Sequence, residues 1–136
     1  MSESQVKVTN LDNGIRVVSD TMNSVESVSL GAWFGIGTRN ESADVNGVAH
    51  LLEHMAFKGT NGRSAAAIAE EVEIVGGHLN AYTSREQTAY YAKLLKDDMS
   101  LGVDILSDIL QNSIFSELEL ARERNVVLQE IGQCAD

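Results

Sequence analysis

The sequence predicts an α+β fold, a mostly antiparallel sheet that is covered by helices on one face. Two patterns favour this class. Strand-like segments occur in pairs joined by short polar turns, which is typical of antiparallel pairing. The segments that separate and follow them have the apolar period of about 3.6 residues that is typical of helices. With 136 residues, 43% of them hydrophobic, the chain is long enough for one compact domain with its own core.

The first strand-like segments are a hairpin and a single strand. Residues 6–19, VKVTNLDNGIRVVS, are predicted to form a β-hairpin in which Asn13-Gly14 supplies a turn with positive φ. Residues 27–36, SVSLGAWFGI, alternate in polarity and predict a strand. Its buried face is expected to consist of Val28, Leu30, Ala32, Phe34 and Ile36.

Two helices are predicted next. After a polar loop, the segment HLLEH lies in a helix that is expected to end near Gly59. Residues 64–77, SAAAIAEEVEIVGG, predict a second helix. Ser64 is its expected N-cap, because a serine oxygen can accept a hydrogen bond from the first turn. Gly76-Gly77 is its expected end, because glycine readily adopts the left-handed conformation that stops a helix.

A second strand pair and an amphipathic helix complete the predicted core. The strands are HLNAYTS (78–84) and TAYYAKLL (88–95), joined by a short polar loop. Residues 97–113 then have the spacing of a helix with one apolar face. That face carries Leu101, Ile105 and Ile109 on one stripe, with Leu106 and Leu110 beside it.

The last helix has the clearest start signal. Ser116-Glu117-Leu118-Glu119 is a capping box, in which Ser116 and Glu119 satisfy backbone N–H groups at the helix start. Phe115 and Leu120 are predicted to form a hydrophobic staple across it. This helix is expected to continue to the end of the chain.

The segment HLLEH concentrates titratable residues, because it contains two of the three histidines in the chain. On a helix, His54 lies about 40° from His50, and Glu53 lies about 60° to the other side. The two imidazoles can therefore reach one metal ion, and neutral imidazoles are common zinc ligands. Glu53 is placed beside them to hold a water molecule on that metal.

The alternative is a solvated helix face that carries two histidines by chance. The neighbours of the motif favour the metal site, because they are apolar and predict a largely buried helix in which titratable groups need partners. These neighbours are Val48, Leu51, Leu52, Met55 and Phe57.

A catalytic zinc usually has three protein ligands, so the two histidines need a third. Glu123 and Glu130 are seven residues apart on the last helix, differ by about 20° and share a face. Val126, Val127 and Ile131 surround them, so at least one glutamate is expected to point inward. Spacing alone does not choose between the two.

Composition excludes several classes. The net charge of −10, with 20 acidic and 10 basic residues, argues against a nucleic-acid-binding protein and suits basic ligands. The single cysteine, Cys134, excludes an internal disulfide framework. The first residues lack the charged and apolar regions of a leader, and no apolar run is long enough to span a membrane. No membrane partner is expected.

The reversed motif His50-x-x-Glu53-His54 is the inverzincin signature. Its context has three ordered blocks, GVAHLLEHMAFKGT, LNAYTSREQTAYYAK and ERNVVLQEI. In these blocks the chain resembles the pitrilysin/insulinase family of zinc peptidases, and within it the bacterial relatives of mitochondrial processing peptidase. The resemblance covers nearly the whole chain.

The resemblance implies a role for each site residue. One zinc ion per chain would be held by His50, His54 and Glu130, because the family's third ligand follows the motif by some 75 residues. Glu123 would support the site from outside the ligand set. Glu53 would be the general base, taking a proton from the attacking water and giving it to the leaving amine.

The resemblance also implies how substrate binds. In the family an edge strand accepts an extended polypeptide as an added β-strand, and the matching residues are Asn80 and Ala81. Backbone pairing tolerates varied sequences, and the acidic charge of the chain favours basic peptides. His78 is expected to be a plain strand residue.

Family members are longer, so residues 1–136 are expected to form an N-terminal zinc-binding peptidase domain that is incomplete at its C-terminal end, a truncated half domain. A second homologous domain or subunit would face the zinc, and the isolated chain is expected to be inactive. The expected location is the cytoplasm for a bacterial protein and the mitochondrial matrix for a eukaryotic one.

Two alternatives belong to other functional classes. Some homologues are non-catalytic partner subunits, but those usually lack part of the motif, which is complete here. S-ribosylhomocysteine lyase shares the reversed motif and uses a cysteine as third ligand. Cys134 follows Glu130 by one helical turn, although the sequence around that lyase's cysteine is not visible here.

Overall fold

The computed structural model describes residues 5–135, with side chains from Val6 to Gln133. The strands are β1 (Gln5–Asn10), β2 (Arg16–Thr21), β3 (Ser27–Phe34), β4 (His78–Thr83) and β5 (Thr88–Leu95). The helices are α1 (Val48–Ala56), α2 (Ala65–Ile74), α3 (Met99–Gln111) and α4 (Glu117–Ala135). Short 3-10 turns cover 38–40, 43–45 and 96–98. No helix in this part of the chain is long and apolar enough to cross a membrane.

The main sheet has three antiparallel strands in the order β3-β5-β4. Because β5 is central, β4 is an edge strand, and Ala81 on β4 lies opposite Tyr90 on β5. Helix α3 packs on β5 and β3, whereas α1 and α2 pack on β4. The predicted class, an antiparallel sheet covered by helices on one face, is confirmed.

A hydrophobic core fills the space between this sheet and the helices. Strands β4 and β5 contribute two alanines, Tyr90 and Leu94 to this core. Burying each larger apolar side chain stabilises the fold by about 1.5–3 kcal/mol. The buried core residues are Ala56, Ile68, Val72, Ala81, Tyr90, Ala92, Leu94, Ile105, Leu106 and Ile109.

The predicted hairpin forms a separate two-stranded sheet, β1-β2. Gly14 has a φ of 88° as expected, and its N–H donates to the Leu11 carbonyl at 2.9 Å. Asn13 does not share the positive φ, and because the Leu11 N–H donates to the Ile15 carbonyl, residues 12–14 form a three-residue connection and not the two-residue form. The described hairpin side chains are exposed, so the hairpin lies outside the core.

Two predictions of burial were too extensive. Strand β3 ends at Phe34, which is 43% exposed, and Ile36 beyond it is 61% exposed. In α1, Val48 and Leu52 are 39% and 45% exposed, while Met55 is buried. An apolar period identifies the face that turns toward a neighbour. It does not indicate how far that neighbour extends.

The predicted ends of α2 are confirmed. The Ser64 hydroxyl accepts a hydrogen bond from the Ala67 N–H at 3.1 Å. At the other end Gly76 has a φ of 67°, and its N–H donates to the Glu73 carbonyl. Helix α1 ends at Ala56, slightly before the expected Gly59.

The start of α4 agrees in part with the predicted capping box. The Ser116 hydroxyl accepts from the Glu119 N–H at 3.2 Å, while the Glu119 carboxylate pairs with Arg122. Phe115 has a φ of 43° and is 50% exposed, and Leu120 is 41% exposed. The predicted staple therefore buries little surface.

A cluster of polar side chains attaches the loop after α1 to α3. The Arg63 guanidinium donates to Asp108 at 2.9 Å and to Asp104 at 2.5 Å. The Asp108 carboxylate also accepts from the Thr60 hydroxyl and the Asn112 amide. Hydrogen bonds from Asn112 and Thr60, together with the Arg63 ion pair, hold the pKa of Asp108 below its ordinary value even though burial opposes this. The loop is thus fixed by a buried, fully paired carboxylate.

This lowered pKa predicts a loss of stability in acid. Because Asp108 binds a proton more readily in the unfolded chain, its contribution is complete above the unfolded-state pKa and disappears as the pH falls through the lower folded-state pKa. Asp108→Asn should reduce the free energy of unfolding at neutral pH and make its decrease with falling pH less steep. Urea unfolding from about pH 7 to about pH 2.5 measures both effects.

Asp12→Asn, in the exposed hairpin turn, is the matched control, since it removes a carboxylate with no such cluster around it. If Asp108→Asn lost stability in acid as steeply as the unsubstituted chain, Asp108 would not be the group responsible.

Candidate metal centre

Two helices that are about 60 residues apart in the sequence, α1 (Val48–Ala56) and α4 (Glu117–Ala135), form the candidate site. Helix α1 carries His50 and His54 on successive turns, and α4 packs against it. Glu123 and Glu130 lie two turns apart on the α1-facing side of α4. Of the apolar residues expected around these glutamates, Val127 is buried at 9% exposure, whereas Val126 and Ile131 are exposed. The face of α4 that meets α1 is therefore narrow and largely polar.

Three side-chain atoms converge at the centre of this contact. The Nε2 atoms of His50 and His54 are 3.1 Å apart. The Glu130 Oε2 atom lies 3.4 Å from the first and 3.6 Å from the second. Zinc bonds of about 2.0–2.2 Å in a tetrahedron separate neighbouring ligand atoms by about 3.3–3.6 Å. The donor set and its spacing fit a tetrahedral metal ion with one further position.

Glu123 contacts the other side of the His54 ring. Its Oε2 atom accepts from the His54 Nδ1 at 3.0 Å, and its Oε1 atom pairs with the Lys58 ammonium at 2.7 Å. Burial opposes ionisation of this carboxylate, which is 6% exposed, but the hydrogen bonds from Lys58 and His54 outweigh it and lower its pKa. A proton on Nδ1 leaves the His54 Nε2 lone pair free to bind a metal.

Glu53 lies on α1 outside this cluster. Its carboxylate forms no hydrogen bond or ion pair with any of the side chains described, Val6 to Gln133. Its charge reaches Tyr90, where burial raises the pKa of the phenol and the Glu53 carboxylate raises it further. Glu53 is therefore an uncommitted carboxylate on the helix that bears the two histidines.

Strand β4 places Asn80 and Ala81 at the sheet edge beside α1. The Thr83 hydroxyl on this strand donates to the Ala49 carbonyl of α1 at 3.4 Å. Asn80 is exposed, and its side-chain oxygen accepts a hydrogen bond from the Ala81 N–H at 2.8 Å. His78 is an exposed residue of the same strand, away from the cluster of three ligand atoms.

Sequence reasoning did not single out Lys58. The residue lies four positions after His54, a spacing that places it on the same side of the chain if the helix continues. A single lysine directly after an apolar segment could have indicated an ion pair near the motif. Only the three-dimensional contact identifies Glu123 as the partner of Lys58. The side chain of Cys134, considered above as a lyase-type ligand, lies outside the described side chains.

Comparison with known proteins assigns the family. The family profile described as "Insulinase (Peptidase family M16)" matches residues 16–136. The chain belongs to this family of peptidases. The resemblance inferred from the three sequence blocks is confirmed.

Relatives within the insulinase family have similar sequences over most of this chain. The rat (Rattus norvegicus) "Mitochondrial-processing peptidase subunit beta" is 50% identical over 129 residues, which are 95% of this chain and 26% of that protein. The Bacillus subtilis "Uncharacterized zinc protease YmxG" is 46% identical over 124 residues, 91% of this chain and 30% of the relative. The crystal structure of pitrilysin aligns with a TM-score of 0.85 at 29% identity, over 98% of this chain and 14% of that one.

These matches show membership of a metalloprotease family, and zinc is the metal that the family implies. The chain spans less than a third of the length of either curated relative. The activities, substrates and partners of those longer proteins are therefore not assigned to this chain by similarity alone.

The Lys58–Glu123 contact leads to a stability prediction. Lys58→Ala leaves a buried carboxylate without its cation, so the free energy of unfolding should fall by about 1–2 kcal/mol after allowance for the partial exposure of Lys58. Chemical denaturation in the presence of a chelator measures the effect on the metal-free protein. Lys93→Ala, on the exposed face of β5, is the control and should be neutral. Equal effects of the two substitutions would contradict the importance of the Glu123 contact.

Proposed function

We propose that this chain is the zinc-binding domain of a metalloendopeptidase that hydrolyses peptide bonds in extended polypeptides. The observation that supports this most directly is the set of three ligand atoms, 3.1 to 3.6 Å apart, on α1 and α4. Membership of the insulinase family supports the same chemistry and favours a peptidase over a lyase. The presence of Glu53 on the helix that carries two of the three proposed ligands favours a catalytic chain over a non-catalytic partner.

His50, His54 and Glu130 are the proposed ligands of one zinc ion per chain. When bound, zinc lowers the pKa of a water molecule to about 7 and polarises a carbonyl group. Glu123 acts from outside the ligand set: its hydrogen bond to Nδ1 fixes the His54 ring and increases the basicity of Nε2. Lys58 keeps Glu123 ionised for this role.

Glu53 is the proposed general base. A base needs a free lone pair, and the Glu53 carboxylate has no hydrogen bond or ion pair to the other described side chains, Val6 to Gln133. It would accept the proton of the attacking water and then donate it to the leaving amine, which is worth about 10²–10⁴ in rate. Direct ligation of zinc by Glu53 would occupy the lone pair that this transfer requires.

Strand β4 is the proposed substrate-binding edge. An extended peptide can add to an open edge through backbone hydrogen bonds alone, which explains tolerance of varied sequences. The Ala81 N–H donates to the side-chain oxygen of the preceding residue, Asn80. The Asn80 side chain would therefore have to turn away before the Ala81 N–H could bind a substrate carbonyl. The net charge of −10 favours basic peptides.

We further propose that residues 1–136 act together with a second homologous domain or subunit, since the curated relatives are more than three times as long as the matched region. That part would hold the substrate in register and exclude water. The relatives suggest the cytoplasm of a bacterium or the matrix of a mitochondrion as the location.

The first test of the proposed function is zinc stoichiometry. Protein purified without chelator should contain close to one zinc per chain by elemental analysis, because all three ligands lie within this chain. His54→Ala should lose the metal, whereas His78→Ala, on exposed β4, should keep it. Full zinc retention by His54→Ala would contradict the site.

The second test separates the base from the ligands. In a chimera, residues 1–136 replace the matching segment of the Bacillus subtilis relative, and cleavage of an unstructured basic peptide is measured at matched zinc occupancy. Glu53→Gln should keep zinc and lose about 10²–10⁴ or more of the cleavage rate. Glu130→Gln should weaken zinc binding itself. If Glu53→Gln emptied the site instead, the proposed division of roles would be wrong.

A further inference from the structure

Helix α1 begins without a side-chain cap of its own. Its N-cap residue is Gly47, with a φ of 94°, and glycine has no oxygen with which to satisfy the free N–H groups of the first turn. Two of those groups are bound instead by a carboxylate from the preceding loop. The Gly47 N–H donates to Glu41 Oε2 and the Ala49 N–H donates to Glu41 Oε1, each at 2.7 Å. One carboxylate therefore caps the helix with both of its oxygens.

Glu41 is itself held by the turn between β4 and β5. It follows the 3-10 turn 38–40, in which the Thr38 N–H donates to the Ser84 carbonyl and the Arg39 N–H to the Arg85 carbonyl, both at 3.0 Å. Glu41 thus connects the end of strand β4 to the start of α1. The Glu41 charge is also favourable there, because a helix N-terminus carries a partial positive charge.

One of the two residues that Glu41 caps, Ala49, directly precedes His50 in the chain. His54 is fixed by Glu123, but the contacts of the His50 ring are with His54 and Glu130, members of the same cluster. The orientation of His50 therefore depends on the first turn of α1, where it directly follows Ala49. Fraying of that turn would displace His50 and leave His54 in place.

We propose that Glu41 is a positioning residue, which fixes the first turn of α1 and so holds His50 in register with His54. Its effect on metal affinity rests on the zinc site proposed above, while its effect on the helix does not. The HLLEH motif does not include Glu41, which lies in a polar loop, six residues before the N-cap Gly47. Only the folded loop brings its carboxylate to α1.

The test compares Glu41→Ala and Glu41→Gln with Asp44→Ala. Asp44 is an exposed acid of the same loop and forms no hydrogen bond or ion pair with α1 among the residues described, so it controls for charge. Amide hydrogen exchange of residues 47–50 is measured on the metal-free protein. Glu41→Ala should speed that exchange about tenfold, the typical effect of losing a cap. Glu41→Gln, which keeps one acceptor oxygen, should be intermediate, and Asp44→Ala should match the unsubstituted chain.

Zinc affinity, measured by competition with a chromophoric chelator, tests positioning separately. It should fall about tenfold in Glu41→Ala and less in Glu41→Gln, with no change in Asp44→Ala. Unchanged exchange in Glu41→Ala would overturn the cap. Faster exchange with unchanged zinc affinity would overturn the positioning role. If Glu41→Ala does not fold, the nearly isosteric Glu41→Gln decides both comparisons. Absence of zinc from the unsubstituted protein would overturn the zinc site, and the exchange result would still decide the cap.

Discussion

The candidate site depends on the contacts of the buried Glu123 carboxylate with His54 and Lys58. A charge that is 6% exposed is tolerated only where partners compensate for lost hydration. The partners, His54 on α1 and Lys58 just after it, both come from the chain around the motif. Their contact with Glu123 gives α4 a rotational setting in which its Glu123 side faces α1. Since Glu130 is two turns further along the same face, that setting also directs Glu130 to the histidines.

Most features that were predicted correctly from the sequence depend on residues that are close together in the chain. The ends of α2 follow from Ser64 and Gly76, whose side-chain and backbone properties suit only those positions. The pairing of β4 with β5 follows from two strand-like segments and a short polar loop. The approach of His50 to His54 follows from the helical repeat alone. In each case the residues that decide the outcome are neighbours in the chain.

Features that depend on distant segments could not be predicted from local sequence patterns, and the different roles of Glu123 and Glu130 came only from the family resemblance. Glu123 and Glu130 differ by about 20° on their helix, so their different contacts arise from where α4 crosses α1. The exposure of Phe34 and Leu52 reflects where the packed elements end, which polarity patterns do not encode. The link between Glu41 and the start of α1 likewise requires the folded loop. These are properties of tertiary packing, and a single sequence gives no direct measure of it.

The position of the three candidate ligands in the chain has a consequence for biosynthesis. His50 and His54 leave the ribosome early, but Glu130 lies close to the last residue described. A nascent chain can therefore offer only two of the three ligand atoms until almost all of these residues have been made. An ion held by all three would close a loop of roughly 80 residues, a restriction comparable to a disulfide and worth about 4–5 kcal/mol in chain entropy. Metal capture would then follow the synthesis of α4, and the bound ion would link α1 to α4.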